Sequence, residues 1–355
     1  MPTHPEACLA ALRRANAAGP RGLPIDFPPR LDAANGSLAA DVAAVRCLLR
    51  SGAAFLLGRP SMGAELRAAH AVRVLRRPPA ADPALAAVAG VVESDGASAA
   101  DFGAAYAAAV ALSDLAVRWG HARLPASGGP CDAVGPRPGA GWGCTLAHVR
   151  GDALLRAVGA WPHRLVRQQV LEPFWAAEGD GRLAWTGALS GRTVLVVHGF
   201  ARTIAAQLPR LAAGRVWGEA TPRVFPADVR LKLVRAPMNV GGASDGRPGW
   251  RASLAALVAQ VDGAGRFDVA LVACGGVGML LAAHLRTTNR SAVYVGGWLQ
   301  VWLGIAGGRW DGLLTKRVGH PLAKAYAANR EGWTRPLPVD TPAKTWQVED
   351  SAYWR

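Results

Sequence analysis

An α/β fold, with a mainly parallel, Rossmann-like sheet covered by helices on both faces, is predicted by three features of the sequence. Several short β-branched runs are apolar along their whole length instead of alternating, as strands buried on both faces must be. Each is followed by a glycine-containing turn and then by a segment whose apolar residues have helical spacing. The chain, 355 residues with 51% apolar content, is long enough to bury such a sheet. Its 42 glycines and 25 prolines stay below a low-complexity composition, and no internal repeat is visible.

Residues 1–50 are read as an N-terminal appendage, in which the proline-broken PRGLPIDFPPR precedes a helical pattern from Leu38 to Leu49. Residues 51–320 are read as the Rossmann-like domain, opening with a short buried strand at Ala53 to Leu57, a turn from Gly58 to Gly63 and an amphipathic helix. Within it, 99–190 is read as a helical and loop insertion, with a helix from Ala99 to Trp119 and a loop by composition from Ser127 to Gly143. The clearest unit follows: TVLVVHGF, from Thr193 to Phe200, is a strand ended by glycine, and ARTIAAQLPRLA is its helix. A second strand is expected within Ala227 to Pro237 and a helix from Trp250 to Ala264. Strand, glycine turn and helix then run from Phe267 to Thr288, and a last strand lies within Ser291 to Gly297. Residues 321–355 are read as a tryptophan-rich tail packed on the domain; six of the 13 tryptophans lie from Trp298 onward.

Charge narrows the partners. Forty Lys and Arg against 25 Asp and Glu give +15, and only Lys232, Lys316, Lys324 and Lys344 are lysines, so guanidinium carries the charge. Such a surface favours phosphate-bearing ligands through bidentate hydrogen bonds. The arginines are dispersed and no binding module stands out, so specific nucleic-acid recognition is not expected. The longest nearly uncharged apolar run, Val269 to Ala283, is interrupted by glycines and falls short of a bilayer span, so no transmembrane segment is expected. No secretory pattern is visible at the N-terminus, which points to a cytoplasmic protein. Five cysteines without C-x-x-C spacing point to reduced thiols and no disulfide framework.

Ligands of parallel sheets bind outside the carboxyl ends of the strands, so the functional residues should follow the strands. Gly275 and Gly276 form one such turn after Cys274, and Gly296 and Gly297 form another; backbone N–H groups there can face an anion, or the glycines can simply allow close packing. Tryptophan beside arginine, as in Arg309-Trp310, can stack on a sugar or base while the guanidinium holds phosphate, or can anchor the tail by burial. A hydrolase reading starts from Val197-His198-Gly199-Phe200, which resembles an oxyanion loop, with Cys274 as nucleophile and Asp311 and His320 downstream. It conflicts with Val272, which stands where a nucleophile elbow needs a small residue.

From about Phe55 onward the chain resembles bacterial and viral proteins of the GT-D type of glycosyltransferase-like fold. The resemblance rests on Phe55-Leu56-Leu57-Gly58-Arg59 with Gly63-Ala64-Glu65-Leu66, Leu171-Glu172-Pro173-Phe174, Val194 to Phe200, and Phe267 to Leu271 with Cys274-Gly275-Gly276. It continues through Gly296-Gly297-Trp298-Leu299-Gln300, Arg309-Trp310, Asn329 to Trp333, Val348-Glu349 and Tyr353-Trp354. It implies transfer of a sugar from a nucleotide-sugar donor to an acceptor hydroxyl on a glycan, protein or small molecule. It also implies a divalent metal, Mn or Mg, held by an aspartate-x-glutamate turn. The matching turn here is Gly63-Ala64-Glu65, which keeps the glutamate and lacks the aspartate. Glu65, then Glu172, are the candidate catalytic carboxylates, with Glu65 also the candidate metal ligand. Arg59 and Arg309 are candidate diphosphate clamps; His198, Gln300, Trp310 and the glycines 275, 276, 296 and 297 are candidate donor contacts. The alternative is a nucleotide-sugar-binding protein without turnover.

Overall fold

The computed structural model describes residues 38–60, 64–73, 96–118, 165–317 and 319–355. Its centre is one seven-stranded sheet built from β1 (Leu56–Gly58), β2 (Leu115–Arg118), β3 (Leu165–Arg167), β4 (Thr193–His198), β5 (Arg230–Arg235), β6 (Val269–Ala273) and β7 (Ala292–Tyr294). The strand order is β3-β2-β1-β7-β6-β4-β5, and every pairing is parallel.

Unbroken apolar strands work here because each feeds two cores at once. Val194 and Val196 of β4, Val269 and Leu271 of β6 and Val293 of β7 join one cluster, while Leu195, Val197, Ala270, Val272, Ala292 and Tyr294 join the other. Side chains alternate across a strand, so a sheet buried on both faces needs an apolar residue at every position. The first cluster is covered by α1 (Leu38–Ser51), α4 (Ala201–Ala212), α8 (Trp298–Trp302), α9 (Gly308–Thr315) and α10 (Pro321–Ala328). The short α5 (Thr221–Val224) adds Val224 to that face. The second is covered by α2 (Ala64–Arg73), α3 (Gly96–Ala111), α6 (Gly249–Gly263) and α7 (Val277–Thr287). Among the described residues no helix is long and apolar enough to cross a membrane.

The structure departs from the sequence reading in three places. The helical stretch expected to reach Trp119 ends at Ala111, and Leu115–Arg118 is β2. Asp114 explains the break: its carboxylate accepts from the Leu56 N–H (2.8 Å) and from Arg286 Nε (2.7 Å), and its own N–H donates to the Leu56 carbonyl (3.0 Å). Sheet pairing thus overrides an alanine-rich segment that would otherwise continue as helix. With β2 and β3 in the sheet, 99–190 contains part of the domain's frame as well as helix and loop; the loop expected at 127–143 lies outside the described residues. Residues 38–51 are likewise core: Leu38, Val42, Val45, Leu48 and Leu49 are buried, and Asp41 Oδ2 accepts from the Arg167 N–H (3.0 Å) and Nη1 (2.6 Å) at β3. Finally, Cys274 is free but Cys47 is disulfide-bonded, which corrects the reading of reduced thiols throughout. Neither an odd cysteine count nor the lack of C-x-x-C spacing excludes a disulfide at Cys47.

Candidate functional site

Where the chain goes after each strand decides where the sheet opens. After β1 and β6 it turns to the α2–α3 face, while after β7, which lies between them, it turns to the opposite face with Leu299, Val301 and Trp302. The backbone therefore diverges on both sides of the β7 carboxyl end, the geometry in which open α/β sheets hold ligands.

Gly296 and Gly297 form that turn, and two guanidiniums lie against them. Gly296 has φ +67°, and a Cβ there would come within 2.7 Å of Arg59 Nη1. At Gly297 a Cβ would meet Tyr353 Cε1 at 2.9 Å and Arg309 Nη1 at 3.3 Å. Gly296 suits both its left-handed backbone and the approach of Arg59, and Gly297 leaves room for the Tyr353 ring with Arg309 beside it. Arg59 arrives directly from β1 and Arg309 from the first turn of α9. Burial holds the Arg309 guanidinium below its ordinary pKa, and the like charge of Arg59 adds to that depression while Tyr353 opposes it. Arg309 Cζ sits 4.4 Å from the Tyr353 ring centre, a cation–π contact, and the guanidinium is ion-paired with Glu349.

The segment that brings Glu349 and Tyr353 in is strained. Glu349, Asp350 and Ser351 have φ of 48°, 52° and 63°, three successive L-residues in the left-handed region. Each such residue costs roughly 1–2 kcal/mol, and strain of this kind persists only where surrounding contacts overdetermine it. Here the Arg309 N–H donates to the Ala352 carbonyl (2.7 Å), and the Ser351 and Thr345 hydroxyls are hydrogen-bonded (2.8 Å).

Glu65 stands in the first turn of α2 and is 7% exposed. It belongs to the same neighbourhood: burial pushes the Tyr294 phenol up, Arg59 pulls it back, and the Glu65 charge adds to the rise. The Tyr294 hydroxyl donates to the Gly275 carbonyl (2.7 Å), tying the glycine turn after β6 to the one after β7.

Along this carboxyl edge runs a chain of rings. Trp175, His320, Phe174, Trp298, Trp310, Tyr353, Trp354, Phe200 and His198 follow one another with centroid separations between 4.8 and 5.9 Å. The tryptophans thus divide. Trp185, Trp217, Trp302 and Trp333 are buried, each with its indole N–H given to a backbone carbonyl, whereas Trp175, Trp298 and Trp354 are half-buried on the edge.

The structure therefore brings together Arg59, Glu65, Gly296, Gly297, Arg309 and Trp310. Gln300 acts differently from expectation: wholly buried, its Nε2 donates to the carbonyls of Ala306 (3.0 Å) and Tyr353 (2.9 Å), clamping the tail beneath the crevice. Glu172 lies in the turn preceding Phe174 and Trp175, where Trp175 Nε1 (2.8 Å) and Gln168 Nε2 (3.2 Å) donate to it. His198 ends β4 with Nδ1 accepting from the Phe200 N–H (2.9 Å). The hydrolase set does not assemble. Burial pushes the Cys274 thiol up to about 12, Asp311 pairs with Arg335 (2.7 Å), and His320 caps α10 through the Leu322 N–H (3.2 Å). Tyr294 and the left-handed run at 349–351 were missed; only the density of aromatics near the tail hinted at them.

Glu172 and His198 make an opposed pH pair. Burial pushes Glu172 up to about 7, against the hydrogen bonds from Trp175 and Gln168, and it pushes His198 down to about 4. The Glu172 contribution is fully present below its unfolded pKa of about 4.5 and is lost as pH rises through 7; that of His198 is present above about 6.5 and is lost as pH falls through 4. Each is worth about 3 kcal/mol in order of magnitude. Urea unfolding across pH 4–8 should show wild type losing about that much relative to Glu172→Gln on going from pH 4.5 to 7. Relative to His198→Gln it should gain a similar amount from pH 4 to 6.5. A pH-independent difference in either pair would remove the corresponding assignment.

Compared with family models, with curated proteins and with solved structures, the chain matches none.

Proposed function

We propose that the protein transfers a sugar from a nucleotide-sugar donor to an acceptor hydroxyl, the activity that its resemblance to GT-D proteins also implies. The observation that carries the reading is the pair of guanidiniums seated on the Gly296-Gly297 turn at the carboxyl edge of the sheet, with Glu65 in the same neighbourhood.

Displacement at an anomeric carbon releases a nucleoside diphosphate, whose charge grows as the bond breaks. In this reading Arg59 and Arg309 hold the two phosphates and stabilise that growth, since charged donors fixed before the reaction need no reorganisation during it. The half-buried Trp298 offers a face for the base or sugar. Glu65, in this reading, takes the proton of the attacking hydroxyl.

Among the described residues no three His, Cys, Asp or Glu side chains gather as a metal-ligand set, and the Glu65 neighbourhood holds two guanidiniums. A divalent metal here would have Glu65 as its protein carboxylate and would need the substrate phosphates to complete its oxygen ligands, in competition with the two guanidiniums. The reading therefore assigns the diphosphate to arginine.

Thermal unfolding with UDP, GDP, CMP and their sugars, with and without manganese, tests it. One nucleotide family is expected to stabilise the protein, by about 2.7 kcal/mol at a hundred times its dissociation constant. Arg59→Gln is expected to weaken that binding by about tenfold or more, the value of a charge-assisted hydrogen bond. No shift with any nucleotide, or an unchanged affinity in Arg59→Gln, would overturn the site. Binding that appears only with manganese would overturn the arginine assignment. Binding without any sugar released or transferred would reduce the protein to a nucleotide-sugar-binding one.

A further inference from the structure

A second cavity, of about 370 Å³, opens at the carboxyl end of β5, lined among others by Arg235, Ser244, Asp245, Arg247, Ser253 and Asp340. Three strand spacings separate β5 from β7, so it lies about 14 Å along the sheet edge from the Gly296 turn. Its charges are layered. Asp340 is 0% exposed and Asp245 10%, whereas the side chains of Arg235 and Arg247 are 50% and 43% exposed. The groups a ligand meets first are thus cationic, and the carboxylates lie beneath them.

Asp340 is half satisfied. Its Oδ2 accepts from the Thr203 N–H (2.7 Å) and hydroxyl (2.8 Å), capping the first turn of α4, but its buried Oδ1 has no hydrogen-bond donor. Arg235 Nη2 stands 3.8 Å from that oxygen, close enough to attract it and too far to hydrogen-bond, and donates instead to the Val339 carbonyl (3.3 Å). A buried acceptor without a donor is costly unless something supplies one. The Ser244 hydroxyl, which accepts from the Gly246 N–H (3.1 Å), keeps a proton to donate, whereas the buried Ser253 hydroxyl accepts from Asn239 Nδ2 (3.2 Å) and is bonded to Asp245.

We propose that this cavity binds a hydroxylated small anion of monosaccharide size, a sugar bearing a phosphate or a carboxylate. Arg235 takes the anionic group through its planar fork, joined by the guanidinium nitrogens of Arg247 that its pairing with Asp245 Oδ2 (Nη1, 3.2 Å) leaves over, and a ligand hydroxyl supplies the donor that Asp340 Oδ1 lacks. The volume falls at the small end of the range for small-molecule sites. The assignment is independent of the nucleotide reading: it uses different residues at a different strand end.

Calorimetric titration of the full chain with glucose 6-phosphate, glucuronate, glucose and inorganic phosphate tests it. Glucose 6-phosphate or glucuronate is expected to bind at least tenfold more tightly than glucose or phosphate, and the tighter of the two identifies the anionic group. Arg235→Gln and Arg247→Gln are each expected to weaken that binding tenfold or more, while Arg59→Gln leaves it unchanged. The proposal is overturned if neither sugar anion binds, if glucose or phosphate binds as tightly, or if both arginine variants retain wild-type affinity. Failure of nucleotides to bind would leave all of these outcomes readable, so the two sites stand or fall separately.

Discussion

Glu65→Gln is expected to slow sugar transfer by about 10²- to 10⁴-fold, the usual contribution of a positioned general base, while donor affinity stays within about threefold of wild type. The separation follows from the division of labour at the crevice. The phosphates are assigned to Arg59 and Arg309, which the substitution leaves in place; the neutral amide keeps the size of the carboxylate and removes its basicity. A loss confined to kcat marks an interaction made in the transition state, whereas a rise in KM alone would mark a group that only binds. Initial rates of transfer, or of donor hydrolysis where no acceptor is supplied, give the comparison. A variant with undiminished kcat would remove Glu65 from the chemistry and leave the arginine pair untouched. Selective loss of donor affinity would instead make Glu65 a positioning residue for the guanidiniums.

The largest expected loss of stability belongs to Trp302→Ala, at about 3–5 kcal/mol. Trp302 is 0% exposed, packs edge-on against Trp185 at 5.7 Å, and gives its indole N–H to the Leu171 carbonyl at 2.9 Å. Truncation leaves a large cavity, and the same change strips Leu171 of its donor, which places the effect towards the upper end. Because a domain of ordinary stability has only about 5–15 kcal/mol in total, urea unfolding should show a large drop in midpoint. A loss below about 1 kcal/mol would mean that the surrounding turns collapse into the vacated space. Trp302→Phe, which keeps most of the volume, should cost distinctly less.

Those two residues also show what the amino-acid order revealed and what it hid. Strands β4, β6 and β7 were legible because Val194–Val197, Val269–Ala273 and Ala292–Tyr294 are unbroken apolar runs followed by glycine turns, a pattern fixed by local chemistry. Strand β2 was not: Leu115–Arg118 continues an alanine-rich helical segment, and only the distant partners Leu56 and Arg286 of Asp114 decide otherwise. At the site, the glycines and Arg59 were legible as strand-end residues, which is a one-dimensional property. That Arg59 lies against Gly296 was not, because the two are brought together only when β1 pairs with β7. Gln300 was misread for a related reason: its position after a strand suggested a ligand contact, but the tail carbonyl of Tyr353 lies within its reach first. Tryptophan density had two causes that sequence could not separate, since core and edge indoles differ only in what surrounds them.

The place of β1 in the sheet bears on how the chain acquires its structure. Leu56 pairs with Ala292, 236 residues later, and β1 lies between β2 and β7. As the polypeptide leaves the ribosome, β1 can join β2 and β3, but one flank of β1 stays open until β7 has emerged. An open flank of a hydrophobic strand is a template for wrong partners, and closing so long a loop is entropically slow. Assembly of the central seam therefore waits for β7, and the approach of Arg59 to the Gly296 turn comes into being only with it. Emergence of β7, rather than of β1, sets the moment at which the central seam closes, and until then the open flank of β1 is exposed to wrong pairing.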